Sequence, residues 1–287
     1  MSYIIETALE LACVYSFVTL ALFLSFRILD IADLTTDGCF VLGMCVSIVC
    51  TLNNHPLLGI LLGMASGGLA GLVTALLQTK LGVPSILAGI ITNTALYTIN
   101  LMVMGFSSNI SILKNKTIFN GNKLILLIMI VIVVMILLRY FLSTRLGLSI
   151  RATGDNIDMV SASSINPKAC ILIGLVMSNM LTGLGGALAG QLQKSADINA
   201  GNGIVTIGLA TLIIGETLIN GKKSITRNII ACLIGNIIYR LVYAFILQTH
   251  IIPIECLKLM TALIITLAIA LPYLKDRKKA LCWRLII

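Results

Sequence analysis

Long apolar runs separated by short polar breaks dominate the chain. A helix that crosses a bilayer needs about 20 mostly apolar residues. Runs at residues 9–29, 39–53, 57–79, 85–106, 123–142, 169–191, 203–219, 228–248 and 257–274 meet or approach that length. The pattern predicts an all-α, polytopic integral membrane protein with about nine transmembrane helices, eight to ten once soft boundaries are allowed for. The second and seventh runs are short. Each follows a polar, turn-rich stretch, Asp33-Leu34-Thr35-Thr36-Asp37-Gly38 and Asp197-Ile198-Asn199-Ala200-Gly201-Asn202-Gly203. Both are expected to be broken or re-entrant helices, which survive only where protein or a cavity covers the backbone.

Composition agrees with the pattern. Of 287 residues 58% are hydrophobic and 11% charged, where a soluble domain carries roughly 25% charge. Mean hydropathy is +1.05. A water-soluble globule of this size could not hide so much apolar surface, and disordered, collagenous and disulfide-rich secreted chains are excluded on the same numbers. The net charge of +9 is read as orientation, not nucleic-acid affinity, because aromatics are few and no aromatic-basic stretch occurs. Arg27, Lys80, the 139–168 stretch, Lys222, Lys223, Arg227 and the 275–284 tail fall on one side. The opposite side holds the 53–56 turn, the 107–122 loop and the 192–202 segment, with Lys114, Lys116 and Lys194. The bias places the C-terminus in the cytoplasm and the N-terminus outside. Glu6 and Glu10, with no preceding Lys or Arg, argue against a secretory signal peptide.

Several kinds of chemistry find no support. The eight cysteines form no C-x-x-C and fall mostly inside apolar runs, where they act as small hydrophobes. His55 and His250 lie at expected outer ends and make neither a relay nor a metal site. Gly215 to Gly221 resembles a P-loop but has five intervening residues, and Lys223 stands where Ser or Thr should hold magnesium. No strand pattern exists to host a dinucleotide fingerprint. No catalytic residue, metal site or cofactor is therefore assigned to this chain.

Lipid supplies no hydrophobic drive for helix association, so small residues matter. Gly59, Gly63, Gly67 and Gly71 recur every four residues beside Ser66, Ala70 and Thr74, and Gly183, Gly186 and Gly190 form a similar patch. Polar residues inside apolar runs are the next signal. Asn93, Tyr97 and Asn100 share one helix face. Such a face must point into the bundle, either lining a path or joining helices by hydrogen bonds. Asn179, Asp197 and Glu216 are further candidates for the path, although Glu216, close to Lys222 and Lys223, suits a structural or gating ion pair better than a substrate ligand. Thr35, Thr36 and Asp37 suit helix capping. A helix start also attracts anions, although Asp37 competes for that field.

The most specific segment is the loop at about 143–168, which is amphipathic, not spanning. Asp155 or Asn156 caps a short helix, Ile157, Val160 and Ser164 give it a face, and Asn166-Pro167 ends it. A helix resting on headgroups would carry a row of Lys or Arg. This one carries Asp155 and Asp158, which favours docking on a cytoplasmic partner.

Here the sequence resembles the permease subunits of bacterial ABC importers of the branched-chain amino acid and ribose type. Gly147, Arg151-Ala152, Gly154-Asp155-Asn156, Met159 and Ile165-Asn166 carry the likeness, with Ser164 where that family usually has Gly. Asp33-Leu34-Thr35, Asp37-Gly38, the 83–90 stretch, Tyr97 with Ile99-Asn100, 196–199, 207–210 and Ile214-Gly215-Glu216 resemble its shorter tryptophan/tyrosine subgroup. The resemblance implies one permease domain over 1–287 in a bacterial cell membrane. It implies a second permease copy or homologue, two cytoplasmic ATPases that hold ATP and magnesium, and an extracytoplasmic solute-binding lipoprotein. The 155–165 helix would be the coupling helix, and the solute a small amino acid or similar. The rival is an ion-coupled secondary transporter, which broken helices also suit. A weak similarity of 85–93 to 228–236 fits either class.

Overall fold

The computed structural model describes residues 2–248, except 114, 120 and 220–223, together with 262, 263 and 266. Seven described helices are long and apolar enough to cross a membrane. They are α1 with its π-helical extension, α3, α4, α5, α8, α9 with the preceding 3₁₀ turn, and α10. Their cores are α1 (Ser2–Leu22), α3 (Pro56–Thr79), α4 (Ser85–Val103), α5 (Lys123–Ser143), α8 (Pro167–Gln193), α9 (Ile204–Leu218) and α10 (Ile225–Gln248). The expected 39–53 run is present as α2 (Thr36–Leu52), at 17 residues shorter than a full span. The expected 257–274 helix lies almost wholly outside the described residues.

Helix α8 is the axis of the bundle. Its small face receives α2 and α3 at backbone distance. A Cβ added at Gly67 would meet the Gly183 Cα at 2.9 Å, one at Gly63 would meet the Ala187 Cβ at 2.9 Å, and Gly43 and Gly183 are packed backbone to backbone. The glycine row of α3 is thus used within the chain, and only glycine permits the approach. Around it Phe17, Phe40, Met44, Ile48 and Leu188 form a buried core. Helix α5 is different. Its buried residues, Leu127, Val131, Leu138 and Leu142, form one stripe at helical spacing flanked by Ile130, Val134 and Met135, and its opposite face is available to lipid.

The chain between α1 and α2 does not turn at the end of the bundle. Leu29 packs near the start of α8, with Ile150 and Cys170. The chain then rises so that Asp33 meets Asn179. That is 12 residues into α8, about 18 Å at 1.5 Å per residue. Helix α2 therefore begins inside the bundle. So does α9, whose first N–H groups face Asp37 at the start of α2.

One element was not legible in the sequence. Asn109–Ser111 (β1) pairs antiparallel with Ser195–Asp197 (β2), a three-residue ladder tying the 107–122 loop to the segment after α8. Such short strands carry no alternating run to read. Sequence reasoning also left Arg145–Asp155 unassigned, and it is helix α6. Its Thr144 cap accepts a hydrogen bond from the Gly147 N–H at 3.2 Å.

Candidate functional site

Four sequence candidates converge on one cavity. Asp37 and Gly38 at the start of α2, Asn93, Thr94, Tyr97 and Asn100 of α4, and the 198–202 turn enclose about 270 Å³. The four- and three-residue spacing of Asn93, Tyr97 and Asn100 places all three on the cavity side of α4. Gly38 makes this possible, since an added Cβ would meet Asn93 Oδ1 at 2.5 Å. Asn100 donates from Nδ2 to the Gly38 carbonyl at 3.3 Å, and its buried Oδ1 accepts no hydrogen bond. Of the remaining lining residues, Val41 was not singled out, and Ile198, Gly201 and Asn202 were named only as part of a helix-breaking stretch and not as a site. Their signal was the glycine- and asparagine-rich turn itself.

Asp37 does not cap its own helix. Its carboxylate accepts from the Val205 N–H at 2.9 Å and the Gly203 N–H at 3.4 Å, so it caps α9. Thr35 makes no side-chain cap either. Its hydroxyl pairs with that of Thr74 at 2.8 Å, and the Thr36 hydroxyl donates to the Asp33 carbonyl at 3.4 Å. Asp33, fully buried, accepts from the Thr35 N–H at 2.9 Å and from Asn179 Nδ2 at 2.6 Å. Asp197 accepts from the Asn199 N–H at 2.7 Å and fixes the 3₁₀ turn Ile198–Gly201. Thr35, Thr36, Asn179 and Asp197 thus support the broken segments and do not line the cavity.

Asn179 gives a direct test of that support. Asn179→Leu leaves the buried Asp33 carboxylate with donors from Thr35 alone. Breaking a buried charged contact of this kind costs about 3 kcal/mol. Thermal unfolding of the purified protein should show a drop of that order, and an unchanged midpoint would contradict the assignment.

Glu216 lies at the other end of α9. Its two carboxylate oxygens accept from Arg27 Nε at 2.7 Å and Nη2 at 2.8 Å. Arg27 sits on the π-helical turn Phe23–Ile28 that ends α1. The expected partners Lys222 and Lys223 lie outside the described residues. The pair is half open to solvent, so its strength is modest. Its geometry is bidentate, however, and it ties α9 to the end of α1.

The 143–168 loop consists of α6, α7 (Ile157–Ala162) and the turn into α8. Its two faces differ. Gly154 lies against the Ile28 backbone, and Ile150 is buried with Leu29 and Cys170, with Ile165 packed beside them. Gly147 fits closely against the end of α5, and Arg151 and Ala152 are half-buried. Asp155, Asn156, Ile157, Asp158 and Met159 stand exposed. Asn156 caps α7 by accepting from the Asp158 and Met159 N–H groups at 3.1 and 3.0 Å, and Val160 anchors it. Asn166 belongs to the next element, capping α8 through the Lys168 and Ala169 N–H groups, with Pro167 in its first turn. Ser164 has φ +61°. This left-handed conformation costs a non-glycine residue about 1 kcal/mol, which gives a physical reason for Gly at this position.

Seven described helices long and apolar enough to cross a membrane, packed around a small polar cavity, define a multi-pass membrane protein. The family model described as branched-chain amino acid transport system / permease component matches residues 4–269, and the chain belongs to that family. It is similar to the tyrosine transport system permease protein of Clostridioides difficile, 33% identical over 268 residues that cover 92% of this chain and 90% of that one. It is also 32% identical over 275 residues to an uncharacterised protein of Rickettsia prowazekii, covering 93% and 97%. The D-allose transport system permease protein of Escherichia coli matches at 35% over 104 residues, 36% of this chain and 31% of that one. No solved structure matches.

Proposed function

We propose that the chain is the transmembrane subunit of an ATP-driven ABC importer that moves a small amino acid, aromatic or branched-chain, into the cell. The observation that carries this reading is the loop at 143–168. One face is locked onto the bundle at Gly154 and Ile150, and the other presents Asp155–Met159 to solvent. A secondary transporter needs no such lever. The fully buried Asp33 beside a broken helix favours the ion-coupled alternative, but that alternative leaves the exposed tip without a role.

In this reading the loop is the coupling element, docked on one of the two cytoplasmic ATPases. Movement of α6 is passed to the end of α1 at Ile28, then through Arg27 and Glu216 to α9, and so to Asp37 at the cavity. The N-terminus lies outside and the C-terminus inside, with nine spans, α2 and α9 being the broken ones. The β1–β2 ladder supports this sidedness by joining two loops assigned to the outer side. A second permease copy would cover α4, on which Thr98 is exposed and Thr94 and Tyr97 leave the cavity partly open. An outer binding lipoprotein would deliver the solute.

The test is uptake of labelled L-tyrosine and L-leucine into proteoliposomes holding the assembled transporter, with ATP supplied on the ATPase side. ATP-dependent accumulation of either supports the proposal. Accumulation driven by a proton or sodium gradient without ATP contradicts it.

A further inference from the structure

The chemistry lining the cavity is one-sided. Its lining residues include one carboxylate, three asparagines, a threonine and a tyrosine, and no basic residue. Two broken helices start beside it, and a helix start ordinarily favours an anion. Here the protein's own acids sit at both. Asp37 accepts from the Gly203 and Val205 N–H groups at α9 while lying in the first turn of α2, and Asp33 accepts from the Thr35 N–H just before that turn. Little positive field remains for a ligand carboxylate.

Unused acceptors do remain. Asn100 is 2% exposed, lines the cavity, and spends its amide donor on the Gly38 carbonyl while Oδ1 accepts nothing. A buried unpaired acceptor costs about 1–3 kcal/mol unless a donor reaches it. The Asp37 carboxylate accepts from the Val205 N–H at 2.9 Å and the Gly203 N–H at 3.4 Å, with the Ile204 N–H also turned to it, which leaves it a lone pair for a further donor. A group with several N–H donors and a positive charge satisfies both. The Tyr97 ring adds an apolar and aromatic wall.

We infer that the cavity between α2, α4 and the 198–202 turn binds the ammonium group of a small amine or amino acid, held by Asp37 and Asn100 Oδ1. The inference rests on the permease reading and adds that the site reads the ammonium end of the solute. Loss of the carboxylate is tolerated, and loss of the amine is not.

The experiment titrates the full-length chain in lipid nanodiscs with four probes. These are L-tyrosine, tyramine, 3-(4-hydroxyphenyl)propionate and D-allose, with affinity measured by calorimetry. L-tyrosine and tyramine should bind within tenfold of each other. The propionate should be at least tenfold weaker than tyramine, and D-allose should not bind in the same range. Asp37→Asn keeps one of the two oxygens that cap α9, so the protein should melt a little lower but stay folded, while tyramine binding by the folded protein falls at least tenfold. Propionate binding as tight as tyramine, binding of D-allose, no binding of any probe, or an unaltered tyramine affinity in Asp37→Asn overturns the site. Tyramine binding in a protein whose assembly shows no ATP-driven uptake keeps the site and removes the ATP-driven importer reading.

Discussion

Gly183→Val should leave almost no folded protein. The new side chain would start within van der Waals distance of the Gly63 carbonyl oxygen, at 2.5 Å, and of the Gly67 Cα, at 3.1 Å. Both neighbours are backbone, so no rotamer change relieves the clash. Three helices meet here, because Gly43 of α2 and Gly67 of α3 approach the same residue. Overpacking in a tight core costs about 1–3 kcal/mol where side chains can shift. With backbone on both sides the cost is expected at or above about 3 kcal/mol, a large share of the stability of an ordinary domain. Gly121→Ala is the control, since nothing lies within 4 Å of its added Cβ. The measurement is monodisperse yield and melting temperature in detergent. Gly183→Val melting within a few degrees of wild type would contradict the packing, as would equal losses in both variants.

Met159→Arg should abolish transport without harming the fold. Met159 is 53% exposed, and its removal leaves the Asn156 cap and the Val160 anchor in place. A charged, longer side chain at the centre of a docking surface leaves an unpaired charge to bury, at a cost of several kcal/mol to association. ATP-driven uptake in proteoliposomes should fall at least tenfold while the melting temperature stays unchanged. Wild-type uptake in this variant would remove the loop from the mechanism.

Both effects trace to features that differ in how well the sequence displays them. Apolar runs are written locally, so α2 to α5 and α8 to α10 were found within a few residues of their ends. The start of α1 was placed late, because Glu6 and Glu10 interrupt its first turns. Helix α6 was missed, since Gly147 and Gly154 weaken helical propensity and its amphipathic face never forms a long apolar run. The cavity was half legible. Asn93, Tyr97 and Asn100 share a period that sequence shows, whereas Asn202 joins them only through a turn from a distant segment. Contacts across the chain were not legible at all. Asp33 with Asn179 and Arg27 with Glu216 are 146 and 189 residues apart, and no spacing rule connects them. The capping role of Asp37 was assigned to the wrong helix for the same reason. Its own α2 begins beside it in sequence, but α9 begins beside it in space.

The central claim is that the tip at residues 155–159 engages an ATPase. The direct measurement is ATP hydrolysis by complexes captured through an affinity tag on this chain from native membranes, comparing wild type with Met159→Arg at matched amounts of permease. The account predicts vanadate-sensitive hydrolysis with wild type and its loss in the variant. Equal hydrolysis in the two captures, or none with wild type, would contradict it.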